Sequence, residues 1–167
     1  MGRINVIGDS LNINSEQELI HIISSSDIID DKTKKLIKNT LKFNKHSIAK
    51  AMMSREKIAF IKHKEKLTPK LIDELYNSGH KVFPVAQGSL DKIIGILYLD
   101  DILPIEQEEK DLLRIMRKSP ATIEHSESLE TALYQMSDSD CNVLLVTKNE
   151  KVIGILTLVD IVKLLFS

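Results

Sequence analysis

The stretch that decides the fold is KVIGILTLVDIVKLL, residues 151–165, close to the end of the chain. A second copy, KIIGILYLDDIL, occupies residues 92–103, and the two copies agree at eight of the twelve positions they share. Each copy predicts an apolar strand followed by a helix, with an aspartate, Asp101 or Asp160, at the same place in both. Such a duplication is typical of a fold built from two equivalent units.

The segments in front of each copy correspond as well. In the first unit, residues 57–63 (KIAFIKH) predict a strand, and residues 68–79 predict a helix. Thr68 is the expected cap of that helix, Pro69 takes its first position and Gly79 follows its end. The strand KVFPVAQ then precedes the duplicated stretch, which gives the order β-α-β-β-α. The second unit repeats this order with ATIEHSE, SLETALYQMSD and CNVLLVT.

Neither unit is large enough to bury one face of its own sheet. We therefore expect an α/β fold in which the two repeats pack sheet to sheet around a pseudo-twofold axis, with clefts where they meet. The predicted division is a tail and helical segment over 1–47, a first repeat over 48–105, and a linker with the second repeat over 106–167. Pro84 predicts that its strand lies at a sheet edge or ends there.

The segment before the repeats carries helical signals. Residues 1–14 are polar and are expected to be loose, whereas residues 15–45 predict two short amphipathic helices that need a surface to lie on. Ser15 and Glu18 have the spacing of a capping box at the first of these helices. Asp31 is the expected cap of the second, lysine-rich helix.

The composition excludes several classes of protein. The net charge of −1 and an aromatic content of 4% without tryptophan argue against a nucleic-acid partner. A single cysteine, Cys141, allows neither an internal disulfide nor a cysteine zinc cluster, and it fits a reducing, cytoplasmic setting. No apolar run reaches the roughly 20 residues of a membrane span.

Tandem β-α-β-β-α units, each ending in glycine, an apolar strand and an aspartate that opens a helix, resemble a pair of CBS domains, also called a Bateman module. The stretches LIHIISSSDIIDDKTKKLIKNTLKF, AMMSREKI and GHKVFPVAQGSLDKIIGILYLDDIL resemble the soluble region of the CorC/HlyC family of hemolysin-like proteins. That family is associated with magnesium and cobalt efflux. The resemblance covers about residues 15–166, and it includes neither the family's membrane domain nor its C-terminal transporter-associated domain.

The resemblance implies an adenine nucleotide as ligand, bound where the motif S/T-x-x-D opens the last helix of a unit. The complete motif here is Thr157 and Asp160, and such a carboxylate accepts hydrogen bonds from the 2′ and 3′ hydroxyls of ribose. Free N–H groups at the helix start favour phosphate, which Asn142 would also face. The first repeat would hold the base through Ile58, Ala59, His80, Lys81, Val82, Phe83 and Pro84.

A symmetry-related second cleft would use Asp101, although Tyr98 stands there in place of the threonine. In that cleft the resemblance places Lys81 at the phosphates, and Ala121 and Thr122 at the base. We expect the second cleft to matter less than the first, because Tyr98 crowds it.

Two features leave alternatives open. The family's M-T-P-R before the first strand is MMSR in this chain, so Arg55 either pairs with phosphate or is a solvated arginine. Thr157 and Asp160 also form a capping box, which requires no ligand. Since Asn142 stands where a basic residue often helps with phosphate, AMP is favoured over a triphosphate. A magnesium ion held through the phosphates is an additional expectation.

Catalytic and metal-binding motifs find little support. His63 and His125 occupy equivalent positions in the two repeats, but no further ligand lies at metal-binding spacing, and exposed strand histidines are the favoured interpretation. The sequence has no G-x-S-x-G, P-loop or H-E-x-x-H motif. Cys141 is expected to be a small buried hydrophobe. We predict a protein that is not an enzyme and has no protein-bound metal.

The expected assembly is a homodimer, because CBS pairs commonly dimerise through helices and two predicted helices carry apolar faces that the repeats leave uncovered. Those faces consist of Leu71, Ile72, Leu75, Leu129, Leu133 and Met136. The expected partner is a membrane transporter or membrane domain for divalent-cation efflux, whose activity follows nucleotide binding. The alternative is a structural or dimerisation module without a ligand.

Overall fold

The computed structural model describes residues 13–102 and 111–167. Its helices are α1 (Glu16–Ser25), α2 (Asp31–Leu41), α3 (Pro69–Asn77), α4 (Leu112–Ile115), α5 (Leu129–Asp138) and α6 (Leu158–Phe166). Its strands are β1 (Met53–Ser54), β2 (Ile61–Lys62), β3 (Val82–Ala86), β4 (Ile93–Tyr98), β5 (Arg117–Lys118), β6 (Thr122–Glu124), β7 (Val143–Lys148) and β8 (Lys151–Thr157). Most of the tail predicted to be loose lies outside the described residues.

The strands form two four-stranded sheets, in the orders β2-β3-β4-β5 and β1-β8-β7-β6. In each sheet the first strand of a repeat runs parallel to the second, and all other neighbours are antiparallel. The helix α3 connects β2 to β3, and α5 connects β6 to β7, as crossovers between parallel strands require. The predicted α/β fold with two equivalent units is confirmed.

The repeats exchange their edge strands. The strand β1 lies near the start of the first repeat but pairs with β8 of the second, where Ser54 lies opposite Gly154. The strand β5 precedes the second repeat but pairs with β4 of the first, where Lys118 lies opposite Gly95. Neither strand was expected from the sequence. The predicted division at residue 105 stays a prediction, and each sheet takes one strand from across it.

The duplicated glycine is explained by this exchange. A Cβ built on Gly154 would lie 2.7 Å from the sulfur of Met52 and 2.7 Å from the carbonyl oxygen of Met53. A Cβ on Gly95 would lie 2.6 Å from the sulfur of Met116. Real Cβ atoms do not approach other atoms so closely, so each repeat needs glycine where the other repeat's strand crosses it.

The two sheets pack face to face through a shared apolar cluster, as predicted from the sequence. The cluster draws buried side chains from both repeats: Ile58, Leu90, Ile96, Val143, Leu145, Val152 and Ile155. On the outer face of each sheet lies a second layer, formed by α3 for the first repeat and by α5 and α6 for the second. Each repeat therefore has its own outer core, and the two repeats share the central one.

The expectation that α3 and α5 leave apolar faces uncovered is wrong. Leu75, Leu129 and Met136 are buried, and Leu71 and Ile72 pack on the core of the first repeat. These helices cover the sheets of their own repeats, which removes the reason given for a dimer. Leu133 alone of the six side chains is exposed, at 36%.

The N-terminal helices lie against the second repeat. Ser15 caps α1 by accepting from the N–H of Glu18, as predicted. The cap of α2 is Asp30, which accepts from two backbone N–H groups, and not Asp31, which is the first helical residue. The side-chain amide of Asn39 on α2 donates to a carbonyl near the end of α6 at 2.9 Å, which joins this segment to the repeat.

The strand predicted over residues 57–63 is reduced to β2, which pairs only with Val85 and Ala86 of β3. The prediction that Pro84 marks a sheet edge or a strand end is also wrong, because β3 lies between β2 and β4 and runs from Val82 to Ala86. The shortness of β2 and the position of Pro84 inside the sheet have one cause. Pro84 has no N–H to donate, and β2 begins only beyond it, so no ladder bond is lost at that position.

Candidate functional site

A cavity of about 450 Å³ lies between the two repeats. It has the size of ordinary small-molecule sites, which span roughly 300–1,000 Å³. The first repeat contributes the chain before β2 and the start of β3, and the second contributes the end of β8 and the first turns of α6. The following residues from the sequence analysis line it: Ile58, Ala59, His80, Lys81, Val82, Pro84, Asn142, Thr157 and Asp160.

The start of α6 forms the polar corner of this cavity. Thr157 is the N-cap, and its hydroxyl accepts from the N–H of Asp160 at 3.2 Å. In return, Oδ2 of Asp160 accepts from the N–H of Thr157 at 3.0 Å and from its hydroxyl at 2.6 Å. In the described part of the chain, Oδ1 of Asp160 has no hydrogen-bond partner. Capping thus occupies one carboxylate oxygen and leaves the other free.

Charges of both signs line the cavity. His80, Lys81 and Lys163 bring basic groups, and Asp100 and Asp160 bring carboxylates. Lys163 was missed in the sequence analysis, although it follows Asp160 by three residues and therefore lies on the same face of α6. The arrangement suits a ligand that carries a small negative charge together with hydroxyl donors.

Tyr98 also lines the cavity, although the sequence analysis assigned it to the second cleft. The guanidinium carbon of Arg117 lies 4.1 Å from the centroid of its ring, which is a cation–π contact. Burial raises the pKa of the Tyr98 hydroxyl above its ordinary value of 10, and the Arg117 charge opposes this shift. The hydroxyl is therefore neutral and can donate at physiological pH. Lys81, assigned both to the base of the first cleft and to the phosphates of the second, lines this cavity.

The polar groups predicted to form the second cleft are engaged within the protein. Asp101 accepts from Arg117 through both oxygens, at 3.2 and 3.4 Å. The carbonyl of Ala121 accepts from a backbone N–H of β7, and the carbonyl of Thr122 accepts from the side chain of Gln135 at 3.0 Å. The two clefts, which the sequence presents as related by symmetry, therefore differ in how many polar groups are free.

Besides the second-cleft residues Asp101, Ala121 and Thr122, two residues assigned to the ligand, Phe83 and Arg55, do not line the cavity. The Phe83 side chain is fully buried in the core of the first repeat, because alternate side chains of β3 point away from the central cluster. Arg55 forms a two-point ion pair with Asp91, at 2.7 and 3.0 Å, and also donates to the carbonyl of Val152. That hydrogen bonding lowers the pKa of Asp91. Arg55 thus joins the two repeats and is not a solvated arginine, whereas its pairing with phosphate stays a prediction.

The described residues contain no group of three or more histidine, cysteine or acidic side chains arranged to hold a metal ion. The histidines expected to be exposed, His63 and His125, are partly buried and lie just after β2 and β6. The imidazole of His125 lies 2.8 Å from Glu124, whose pKa it lowers. Within the described ranges no helix is long and apolar enough to cross a membrane.

A family model for the CBS domain matches residues 110–167. The magnesium and cobalt efflux protein CorC of Pasteurella multocida is 30% identical over 117 residues, which is 66% of this chain and 38% of that protein. CorC of Escherichia coli strain K12 is 23% identical over 158 residues, or 90% of this chain and 53% of that protein. The chain therefore spans between about a third and a half of the length of these relatives.

Solved structures have the same fold. The CBS domain of the bacterial CNNM/CorC family Mg²⁺ transporter superposes with a TM-score of 0.76 at 20% identity, covering 92% of this chain and 97% of that one. The same domain in complex with ATP gives 0.69 at 20% identity, covering 79% and 95%. CBSX2 in complex with AMP gives 0.60 at 20% identity, covering 71% and 94%. Residues 110–167 of this chain match the CBS domain, the chain as a whole has the fold of these CBS structures, and its sequence is similar to the CorC magnesium and cobalt efflux proteins.

Proposed function

We propose that this chain is a non-catalytic regulatory module that binds an adenine nucleotide, preferably AMP, in the cavity between its CBS repeats. The observation that carries the proposal is the geometry of Asp160. Its capping bonds use Oδ2 alone, so Oδ1 is available in a cavity of suitable size beside the N-terminus of a helix. A carboxylate in that position accepts from ribose hydroxyls, while the helix N-terminus favours phosphate.

The charges of the cavity favour a monophosphate. Lys81 and Lys163 balance Asp100 and Asp160, and His80 adds at most one further positive charge. A triphosphate would bring more negative charge than these groups neutralise, particularly because Asn142 contributes no charge. The complexes of similar CBS structures with ATP and with AMP support an adenine nucleotide in general and do not choose between the two.

The ligand would contact both repeats at once. The base would lie against Ile58, Ala59 and the first half of β3, and the ribose against α6 of the second repeat. Binding would therefore order the two repeats relative to each other, which is the property that a sensing module requires. A magnesium ion would join only through the phosphates.

The similarity to CorC supports a role in regulating a divalent-cation efflux system. We place the module on the cytoplasmic side of such a system, with a transporter or a membrane domain as its partner. A homodimer stays part of this proposal, although the helix faces once expected to form its interface are buried within each repeat.

The first test is a titration of the protein with AMP, ADP, ATP and S-adenosylmethionine, followed by calorimetry and by thermal unfolding. At a concentration of 100 times its dissociation constant, a ligand stabilises the folded state by about 2.7 kcal/mol. We expect AMP to give the largest stabilisation. The proposal fails if none of the four compounds changes the melting temperature at millimolar concentration.

The second test separates ribose binding from capping. Asp160→Ala removes both, so its binding is measured with AMP and with 2′-deoxy-AMP. In the wild type the deoxy ligand should bind roughly 10-fold more weakly, because a charge-assisted hydrogen bond is lost. In the variant the two ligands should bind equally weakly. Asp101→Ala is the matched control, and an equal loss of AMP binding in both variants would contradict the site assignment.

A structural module without a ligand is the competing function, and one observation favours it. The capping box of Thr157 and Asp160 is complete without a ligand, so it accounts for the motif by itself. In that case Asp160→Ala would lower stability, and no nucleotide would stabilise the wild type.

A further inference from the structure

The charged residues are unevenly distributed along the chain. Residues 32–55 contain seven lysines and one arginine and no acidic residue, although the whole chain carries one more acidic residue than basic residues. This stretch includes all of α2 except its first residue, and it continues through β1. A basic block in a chain without a net positive charge indicates a local electrostatic surface.

Four of these lysines form one row along α2. They follow one another at spacings of three, three and four residues, which place side chains on the same face of a helix. The last of them is the C-cap, whose backbone angles are still in the right-handed helical region. Three of the four are exposed and the third in order is half-buried. We call these residues the lysine row: Lys32, Lys35, Lys38 and Lys42.

No carboxylate neutralises the lysine row among the residues that the structure describes. Two other lysines of this stretch do have acidic partners: Lys34 lies 3.9 Å from Asp31, and Lys45 is bonded to Glu16. Over the same described ranges, the four ammonium groups of the row take part in no ion pair and no hydrogen bond. The row therefore presents four unneutralised positive charges.

The stability of α2 does not explain the lysine row. Like charges three or four residues apart destabilise a helix. A lysine stabilises the C-terminal end of a helix through the macrodipole, which applies to Lys38 and Lys42, but Lys32 lies in the first turn, where its charge opposes the dipole. A role outside the fold accounts for the row better than a role within it.

The lysine row belongs to a folded surface. On α2, Asn39 donates to the carbonyl of Leu165 near the end of α6 at 2.9 Å. Shortly after α2, Ile48 is fully buried in the core of the second repeat. The helix that carries the row is thus fixed to the second repeat at its middle and beyond its end. It contacts α6, the helix whose first turn lines the cavity.

The chemistry of the row fits a lipid surface better than a nucleic acid. Lysine presents a compact point charge, whereas nucleic-acid sites rely on the planar fork of arginine and on stacked aromatic rings, and the row contains neither. Clusters of four or more basic residues on a helix are typical of contact with anionic lipids. The proposed function places the module on the cytoplasmic side of a membrane transport system, where the leaflet is negatively charged.

We propose that the lysine row docks this module on the anionic surface of a lipid bilayer. The inference rests on the membrane location in the proposed function and not on nucleotide binding. The contact is electrostatic, so α2 lies along the surface of the bilayer and does not enter it. Docking holds α2 at the membrane, and through it α6, which carries Asp160 at the cavity.

The first part of the test is co-sedimentation of the whole chain with vesicles. We expect binding to vesicles of phosphatidylcholine mixed with phosphatidylserine, and none to vesicles of phosphatidylcholine alone. Raising the salt from about 0.1 M to about 1 M should abolish this binding, because the screening length falls from about 10 Å to about 3 Å. Equal binding to both kinds of vesicle, or binding to neither, would overturn the proposal.

Variants then assign the binding to the lysine row. Lys35→Gln should weaken binding to the mixed vesicles roughly 5-fold, the contribution of one lysine near an anionic surface. The fourfold variant should lose measurable binding; it combines Lys32→Gln, Lys35→Gln, Lys38→Gln and Lys42→Gln. The matched control removes the same charge from exposed lysines outside the row and the cavity, and it should keep most of the binding; it combines Lys62→Gln, Lys64→Gln, Lys92→Gln and Lys148→Gln.

An equal loss in the two fourfold variants would show that net charge alone is responsible, which overturns the proposal. If the fourfold row variant does not fold, Lys35→Gln decides, and wild-type binding in that variant is again contrary. Tighter binding of an RNA or DNA oligonucleotide than of the mixed vesicles would assign the row to a nucleic acid instead.

A titration with AMP separates this inference from the function proposed above. The fourfold row variant should bind AMP as the wild type does, because no lysine of the row lines the cavity. A wild type that binds AMP but no vesicle refutes only the docking. A wild type that binds mixed vesicles but no nucleotide refutes nucleotide sensing and leaves the docking in place.

Discussion

The two aspartates of the duplicated stretch have the same place in the sequence and different surroundings. Asp160 follows a threonine by three residues, so the two side chains bond reciprocally and one carboxylate oxygen stays free. Asp101 follows Tyr98 at the same spacing, and a tyrosine cannot close such a box at this distance. Arg117 takes up both oxygens of Asp101 instead. The two aspartates therefore differ in their free oxygens: Asp160 keeps one, whereas both oxygens of Asp101 are engaged.

The close contacts at the duplicated glycine predict that a larger residue there lowers stability. Gly154→Ala should destabilise the protein by about 1–3 kcal/mol, the usual cost of overpacking, because the new Cβ would meet the Met52 sulfur and the Met53 carbonyl at 2.7 Å. Chemical denaturation measures the loss. The sulfur belongs to a flexible side chain, whereas the carbonyl belongs to the paired strand β1.

The double variant Gly154→Ala with Met52→Ala is the control for this prediction. Its loss in the free energy of unfolding should be smaller than the sum of the losses in the two single variants, since removing the thioether relieves one of the two contacts. Strict additivity of the two changes, or a Gly154→Ala protein as stable as the wild type, would show that β1 does not approach β8 so closely.

At the scale of single elements, α6 depends on its first turn. Thr157→Ala removes the cap and should lower the free energy of unfolding by roughly 0.5–2 kcal/mol, measured in denaturant. Thr157→Ser keeps the hydroxyl that accepts from the N–H of Asp160 and should stay within a few tenths of a kcal/mol of the wild type. A serine variant as unstable as the alanine variant would mean that the methyl group, and not the cap, stabilises this helix.

Elements whose signals lie within their own sequence were predictable. The helix α3 begins at Thr68 and Pro69, as expected, because the cap and the proline act on adjacent backbone groups. The strand β8 and the helix α6 follow from an apolar run and a capping box. For the same reason Thr157 and Asp160 were found as a pair before the cavity was known.

Elements that exist only through a distant partner were missed. The strands β1 and β5 are two residues long, and each forms because a glycine of the other repeat lets it come close. The positions of β1 and β5 also determine which partners two arginines next to them can reach. Arg117 reaches Asp101 only from β5. Arg55, which directly follows β1, pairs with Asp91 of its own repeat and donates to the Val152 carbonyl of the other repeat. A sequence pattern that describes one repeat at a time does not contain these contacts.

At the scale of the whole molecule, each repeat is completed by the segment in front of the other. Ile48, at the start of the first repeat, is fully buried in the core of the second. Leu112, from before the second repeat, is 1% exposed in the core of the first. The exchange joins the repeats by backbone pairing as well as by apolar contact. A ligand in the cavity between them therefore acts on two units that already share strands.

This crossed arrangement predicts which repeat each of two equivalent mutations destabilises. Ile48→Ala and Leu112→Ala should each cost about 2–5 kcal/mol, the usual cost of truncating a buried aliphatic side chain. Amide hydrogen exchange then locates the damage, because openings below the global transition are local. Ile48→Ala should speed exchange in β7 and β8, and Leu112→Ala should speed it in β3 and β4. Each variant is the control for the other, and faster exchange in the repeat that follows the mutation would contradict the exchange of segments.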